Sequence, residues 1–388
     1  MTGCIVGWAH TRFGRLEDHT IESLITTVAR EAINDAGLEP GDIDQIYLGN
    51  FNGGMVEQDF PSSLVLQTDD ALRFTPVTRV ENACATGSAA IYQGLNALAA
   101  KKARFVLAVG AEKMTAASTA KVTEVLARAS YYEEEAAKGI TFPGMFGNIA
   151  QQYFQRHGDQ MDGLARVAAK NHKNGSVNPL AHMQKDLGFE FCRTEGDKNP
   201  MVAPPLKRTD CSMISDGAAA VVLADTDQAL GLEKAIAFRA NAQVNDFLPV
   251  SRRDILAYEG PKRAFAQAFA ESGLGLDDLD LVEVHDCFTI AEMLSYEAMG
   301  LCEPGQAARA LEEGWTEKDG KLPVNPSGGL KAKGHPIGAT GVSMHAMTAM
   351  QLAGQAGDMQ VKDASKAGVF NMGGAAVASY VSILEQIR

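Results

Sequence analysis

The chain has 388 residues, 46% hydrophobic and 21% charged, with a formal net charge of −13. That length accommodates two or three domains, and the composition is that of a folded globular protein. The acidic balance argues against non-specific nucleic-acid binding, and no apolar stretch reaches the ~18–20 residues of a membrane-spanning helix, so membrane insertion is not expected.

Residues Met1 to Trp8 read as a first strand, with no basic leader ahead of an apolar stretch. The six cysteines (Cys4, Cys84, Cys192, Cys211, Cys287 and Cys302) form no CxxC pair. The expectation is a cytoplasmic protein with reduced thiols. Residues 31–50 then read as a helix stopped by Gly37, an Asp-rich turn and a strand. The same pattern recurs at residues 267–286, where Gly273, Leu274, Asp278 and Asp280 align with Gly37, Leu38, Asp42 and Asp44. A period this long is no solenoid repeat; it indicates one α/β domain duplicated and fused.

An apolar run, Thr75 to Val80, leads into Cys84, and a small-residue run leads out into a helix-like stretch, Ile91 to Lys101. Strand, sharp turn and buried helix place Cys84 at the helix's first turn. Unpaired N–H groups there lower a thiol's pKa and suit a nucleophile. The competing reading is a small buried core cysteine.

Phe105 to Gly110 forms the next strand, and its partner, Gly217 to Leu223, lies about a hundred residues on. In the second half the corresponding pieces, Ala367–Asn371 and Gly374–Tyr380, are contiguous, so the first half carries an insertion. The chain is therefore expected to divide into residues 1–114 plus 216–230, an inserted 115–215, and 231–388. The insertion holds helix-like pieces (148–156 and 162–173) and a Pro-rich exit (200–206). Residues 113–215 carry 13 basic against 11 acidic residues, which favours this segment for an anionic ligand. Parallel sheets covered by helices are expected in each half, with ligands at the strand C-terminal ends. His285 ends a strand, since it aligns with Gly49. His335 lies in a glycine-rich loop, Asn325 to Gly341, ahead of a helix (342–353); the loop lacks the phosphate-binding GxxxxGK[ST] order. His157, His172 and His182 show no metal-ligand spacing, and no metal is expected.

Cys84 with its small-residue run, His285-Asp286-Cys287-Phe288 and Gly334-His335-Pro336-Ile337-Gly338-Ala339-Thr340-Gly341 together resemble the thiolase family over essentially the whole length. The resemblance implies a duplicated thiolase fold, layered αβαβα, with a mid-chain loop domain. Conventional thiolases have Asn-Glu-Ala-Phe at the first of these motifs and a second catalytic cysteine in a C-terminal Cys-x-Gly motif. Here the latter position holds Asn371, in Phe370-Asn371-Met372-Gly373-Gly374, which is similar to the sterol-carrier-protein type of thiolase.

That resemblance implies acyl transfer between CoA thioesters through a thioester on Cys84, with CoA as substrate and no permanent cofactor. It gives His335 the thiol proton, Cys287 the α-proton of a second acyl-CoA, and His285 with His335 the enolate oxygen. A depressed pKa is expected for Cys287. Backbone N–H groups of Cys84 and of Gly373 or Gly374, in the loop of Asn371, would hold the acyl oxyanion. Met145, Phe146 and Gly147 are expected over the thioester. Lys207 and Arg208 are candidate phosphate neighbours, with solvated surface charge as the alternative, and Asp286 is expected to cap the helix that follows it. A homodimer, or a larger assembly, is implied. Alternatives are a β-ketoacyl synthase, which Cys287 and the GHPIGATG wording oppose, and a non-thiolytic, aldolase-like CoA-ester-binding subunit, which Cys84 opposes.

Overall fold

The structure, a computed structural model, describes residues 2–388. The first half runs β1 (Cys4–His10), α1 (Ile21–Asp35), β2 (Gln45–Gly49), β3 (Val77–Val80), α2 (Thr86–Ala99) and β4 (Phe105–Lys113). Next come α3 (Thr119–Ala127), α4 (Phe142–His157), α5 (Met161–Ser176), α6 (Phe189–Arg193) and a small hairpin, β5 (Met201–Ala203) with β6 (Leu206–Lys207). β7 (Asp216–Ala224) and α7 (Thr226–Ala229) complete the half. The second half comprises β8 (Ile236–Asn245), α8 (Glu259–Ser272), β9 (Leu281–Val284), α9 (Thr289–Ala298), α10 (Ala307–Glu312), α11 (Gly329–Lys333), α12 (Ile337–Leu352), β10 (Lys366–Gly373) and β11 (Ala378–Gln386).

The duplication is visible bond by bond. α1 is followed by Gly37 at φ +69° and α8 by Gly273 at φ +70°, the left-handed stop that glycine permits. Asp42 accepts from the Glu39 N–H at 2.9 Å, and Asp278 from the Gly275 N–H at 2.7 Å. Asp44 then accepts from the N–H groups of Arg104 (2.7 Å) and Phe105 (3.2 Å). Asp280 does the same for Ser365 (2.8 Å) and Lys366 (2.9 Å). Each aspartate thus ties the start of one strand to the start of its neighbour.

The strands form one nine-stranded sheet in the order β3-β2-β4-β7-β1-β8-β11-β10-β9. A bridge from Val324 to Val282 takes the place of a tenth strand, so each half repeats one strand order. The halves join through antiparallel β1 and β8, Ile5 facing Ile236. The sheet is mixed rather than parallel: β2 runs parallel to β3 and β4, and β9 to β10, but β7, β1, β8 and β11 pair antiparallel. Only four residues connect β10 to β11, too few for the crossover that a parallel neighbour needs.

Alternation along the strands separates the layers. Val6, Leu107, Val109, Ala220 and Val222 pack with α1 through Leu24, Ile25, Val28 and Ala32. Their neighbours Ile5, Val106, Ala108, Val221 and Leu223 face the core that contains α2 and α12. In the second half, Phe370 meets Phe265 of α8 at 5.3 Å, while Asn371 faces Ser88 of α2. The order is therefore α1, first-half strands, α2 with α12, second-half strands, α8. α12 is buried along nearly its whole length, as a helix enclosed by two layers must be.

The two central helices meet through glycine. A Cβ on Gly87 would lie 2.6 Å from the Val342 nitrogen, and one on Gly341 would lie 2.2 Å from the Ser88 nitrogen. Both obstacles are backbone, so relief requires the helices to separate. Gly341→Ala is accordingly expected to cost at least the ~1–3 kcal/mol of an overpacked core. Urea unfolding measures this; an unchanged midpoint would refute the close contact.

Candidate active site

Cys84 is held on a strained turn between β3 and α2. It precedes the helix by two residues rather than lying in its first turn. Ala83 beside it has φ +49°, left-handed for a residue with a Cβ. The turn is pinned by Asn82, whose N–H donates to Thr86 Oγ1 (2.8 Å) and whose amide donates to Tyr380 Oη of β11 (2.8 Å). Cys84 is thus fixed against the second half.

His335 occupies the loop between α11 and α12. Its Nδ1 lies 2.6 Å from Thr340 Oγ1, whose own proton goes to the Pro336 carbonyl at 2.9 Å. The Thr340 hydroxyl has only one proton, so His335 Nδ1–H donates to it and Nε2 is left bare. His285 follows β9, with Nδ1 2.8 Å from Asn371 Nδ2 and its buried Nε2 without a protein partner among the described residues. The two rings meet edge to face with centroids 5.1 Å apart. Cys84 Sγ and a nitrogen of each ring all lie within 4.8 Å of one another.

Cys84 and His335 line a cavity of about 280 Å3 together with Cys287 and Gly374, and His285 lies buried just behind them. The cavity walls are largely apolar: Phe51, Met114 and Ile337 on one side, Phe142, Phe288 and Ile214 among the others. Glu112, fully buried, accepts from the N–H groups of Phe51 (2.9 Å), Asn52 (2.9 Å) and Gly338 (3.0 Å). One carboxylate therefore fixes a wall from each half.

Burial sets the electrostatics. The Cys84 thiol is pushed up to about 12 by desolvation, countered by the Gly374 N–H at its sulfur. Cys287 is likewise raised well above the ordinary thiol range, by burial first and then by Cys84 and Asp286. The helix-terminus and depressed-thiol expectations are therefore corrected: without ligand, both cysteines are thiols. His335 is held down to about 3 by burial and Lys333, and His285 lies well below its usual range through burial and His335. Both rings are neutral.

Several other expectations also change. Asp286 caps not the helix after it but α11, accepting from Leu330 N–H (2.6 Å) and Lys331 N–H (3.1 Å). Asn171 of α5 donates to both Asp286 (2.7 Å) and Glu292 (2.6 Å), and Lys170 pairs with Glu292 at 2.8 Å, so the insertion braces the His285–Phe288 segment. Met145, Phe146 and Gly147 lie inside α4, behind the cavity wall; Phe142 and Pro143, a turn earlier, line it. Phe146 instead stacks on Phe288 at 4.5 Å. Lys207 is fully buried and paired with Asp210 at 2.9 Å, so it is neither a surface charge nor a phosphate neighbour, whereas Arg208 is exposed. Of the glycine loop, Gly374 lines the cavity, Gly373 packs against the Asn82 carbonyl, and Asn371 is wholly buried behind His285. Sequence reasoning passed over Thr340 and Ser88, although both are hydroxyl residues within motifs it had marked. It also missed the lining from α3, Thr123 and Leu126, which carries no motif.

The fold and these motifs agree with known proteins. Residues 4–227 match the model of the thiolase N-terminal domain, and residues 242–386 match the thiolase C-terminal domain-like model. An acetyl-CoA acetyltransferase of Methanothermobacter thermautotrophicus is 40% identical over 98% of this chain and 99% of its own. Human sterol carrier protein 2 is 32% identical over 95% of this chain and 69% of its own. Among solved structures, the Ltp2-ChsH2(DUF35) aldolase superposes with a TM-score of 0.83 at 22% identity, covering 100% of this chain and 98% of that one. The chain belongs to the thiolase family. No helix among the described residues is long and apolar enough to cross a membrane.

The buried histidines also set an acid limit. His10, His172 and His335 are held down to about 3 and His345 to about 4, in each case chiefly by burial, and His285 is lowered likewise. Unfolded, these rings take up protons near pH ~6.5. Their contribution is therefore present above that pH and is lost as the pH falls toward their folded values. His182 is lowered too, chiefly by burial; Glu112 and Asp286, raised to about 7 by burial, and Glu297, also raised, act in the opposite sense, three groups against six. The melting temperature is expected to fall as buffers go from about pH 7 to about pH 5; a flat or rising profile would contradict this balance.

Proposed function

We propose that the protein is an acyl-CoA C-acyltransferase that catalyses reversible Claisen condensation and CoA-dependent thiolysis of 3-ketoacyl-CoA through an acyl-thioester on Cys84. The observation that carries this reading is the meeting of Cys84, His335 and His285 within 4.8 Å beside a cavity that Cys287 also lines. The archaeal relative's name favours acetyl-CoA as acyl donor.

The proton inventory gives an order of events. Cys84 attacks the first thioester as His335 Nε2 takes its proton, and the departing CoA thiolate takes the proton of Cys287. The acyl-enzyme then faces an imidazolium and a thiolate, a pair with no net charge in a buried site. That sequence supplies the Cys287 base without a depressed resting pKa. Cys287 next removes the α-proton of the second acyl-CoA, and the enolate oxygen receives hydrogen bonds from His285 Nε2–H and the protonated His335. The enolate carbon attacks the acyl carbon, the oxyanion leans on the N–H groups of Cys84 and Gly374, and the expelled Cys84 thiolate recovers its proton from His335. All three groups return to their starting forms.

The same three groups could ring a soft metal ion by distance alone. The Asn371 amide facing His285 Nδ1 opposes this, because it puts the proton on the very nitrogen a metal would need. The non-thiolytic, aldolase-like reading leaves Cys84 and its strained turn without a task. Residues 115–215 serve as the cover over pantetheine, with Phe142, Pro143 and Val202 at the wall, and Arg208 of the same segment is an exposed cation. Residues 1–114 with 216–230, and 231–388, are the two catalytic halves. We place the enzyme in the cytoplasm as a homodimer. Edge strand β3 supports the dimer, since Phe74 beside it is 85% exposed. Sedimentation is expected to give about twice the 41.3 kDa chain mass; a monomer would contradict it.

Acetoacetyl-CoA cleavage by free CoA, set against decarboxylation of malonyl-CoA, tests the reaction class: cleavage alone is expected. Cys84→Ala should form no acyl-protein from radiolabelled acyl-CoA, and a persisting covalent label would remove the nucleophile. Cys287→Ala should still acylate Cys84 yet lose exchange of the α-proton with solvent deuterium. Undiminished exchange would strip Cys287 of its role.

A further inference from the structure

Resting on that reading, we infer that Asn371, oriented by Ser88, is a positioning residue that fixes the proton of His285 on Nε2, making this ring an obligate hydrogen-bond donor to the substrate.

Asn371 is fully buried, and its side-chain amide meets three groups. On one side, at 3.2 Å, is the Cys84 carbonyl, which can only accept. The NH2 end must therefore face it. On the other side Ser88 Oγ lies 2.8 Å from Oδ1 and donates to it. The second Nδ2 proton then points at His285 Nδ1, 2.8 Å away. A ring nitrogen that accepts is bare, so the single proton of the neutral ring sits on Nε2. That nitrogen is buried and lacks a protein partner among the described residues. An unpaired buried donor is costly, and such an exception in a folded protein calls for an explanation. A thioester oxygen entering beside Cys84 would supply its acceptor.

His335 offers the contrast. Thr340, with its proton committed to Pro336, forces the proton of His335 onto Nδ1 and leaves Nε2 as an acceptor. Two neighbouring imidazoles are thus set to opposite tautomers by two different partners, so one removes a thiol proton and the other polarises a thioester. The amide has no freedom to turn over. Rotation would set Oδ1 against the Cys84 carbonyl, and a Cβ on neighbouring Gly341 would stand only 2.5 Å from Oδ1. An asparagine, rather than a cysteine, at position 371 follows from this duty: it needs one acceptor and two donors on a flat frame.

The direct test is 15N NMR of histidine-labelled protein without substrate, with His285 assigned by the loss of its signals in His285→Gln. The expected wild-type spectrum has a protonated Nε2 and a bare Nδ1 for His285, and the reverse for His335. In Asn371→Asp the carboxylate can only accept, so the His285 proton should move to Nδ1. Turnover in that variant should fall by roughly 10²-fold, the usual effect of a lost oxyanion donor, through kcat more than KM. Single-turnover acylation of Cys84 should persist. Ser88→Ala should give a smaller loss of the same kind, since it frees the amide without reversing it. A wild-type His285 protonated on Nδ1 would overturn the inference whatever the activity, and it needs no folded variant. So would an Asn371→Asp protein with wild-type kcat. If the spectrum is as expected but CoA-dependent cleavage is absent, the reaction assignment fails and the tautomer control stands.

Discussion

The backbone contact between the N-terminal turns of α2 and α12 is the constraint on which the rest depends. Gly87 and Gly341 let two helices from different halves approach until only hydrogen atoms fit between them. Cys84 stands just ahead of one helix and His335 just ahead of the other, so helix approach and reactive-group approach are one event. Ser88 reaches Asn371, and Glu112 reaches Gly338, across the same seam. Wider side chains here would separate a thiol from its base even if every catalytic residue were retained.

Burial governs the chemistry that follows. Water is largely displaced from around the thiols and imidazoles, so the uncharged form of each is favoured at rest. A resting site without charges suits an apolar cavity. Charge then appears only with substrate bound, as an imidazolium and a thiolate created together. The resting protein does not hold a reactive thiolate open to oxidation or stray alkylation. The Lys170–Glu292 ion pair and the Asp286 carboxyl at the α11 terminus lie one layer back, where each is met by hydrogen-bond partners.

Much of this was legible in the sequence because it was written twice. The aligned pairs Gly37 with Gly273 and Asp44 with Asp280 occupy equivalent places and make equivalent bonds, so repetition alone disclosed the duplication. Cys84, His285, Cys287 and His335 stood in motifs whose glycines and small residues already spoke of close backbone approach. Direction of the strands was not legible, since pattern gives pleat and burial but not pairing, and the antiparallel β7, β1, β8 and β11 had to be seen. Position within the insertion was read one turn late, at Met145–Gly147 instead of Phe142–Pro143, because a helix shows its wall-facing side only once its neighbours are known. Lys207 misled because a basic residue is expected outside; its partner Asp210, one helical turn on, was the unused clue. The thiol pKa values ran against expectation since desolvation, which no local motif encodes, outweighs a nearby helix end.

The seam between β1 and β8 has a consequence of its own. Each half, taken alone, would end in a bare edge strand at the very place where the other half now pairs with it, and unsatisfied backbone edges seek partners. A one-half ancestor would have met that need by associating with a copy of itself, at a rate set by how many copies were present. Covalent fusion of the two units removes the dependence on abundance, because the second edge is always tethered at high effective concentration. It also releases the copies from identity: once the edges are guaranteed to find each other, one unit is free to specialise in holding the nucleophile and the other in managing protons.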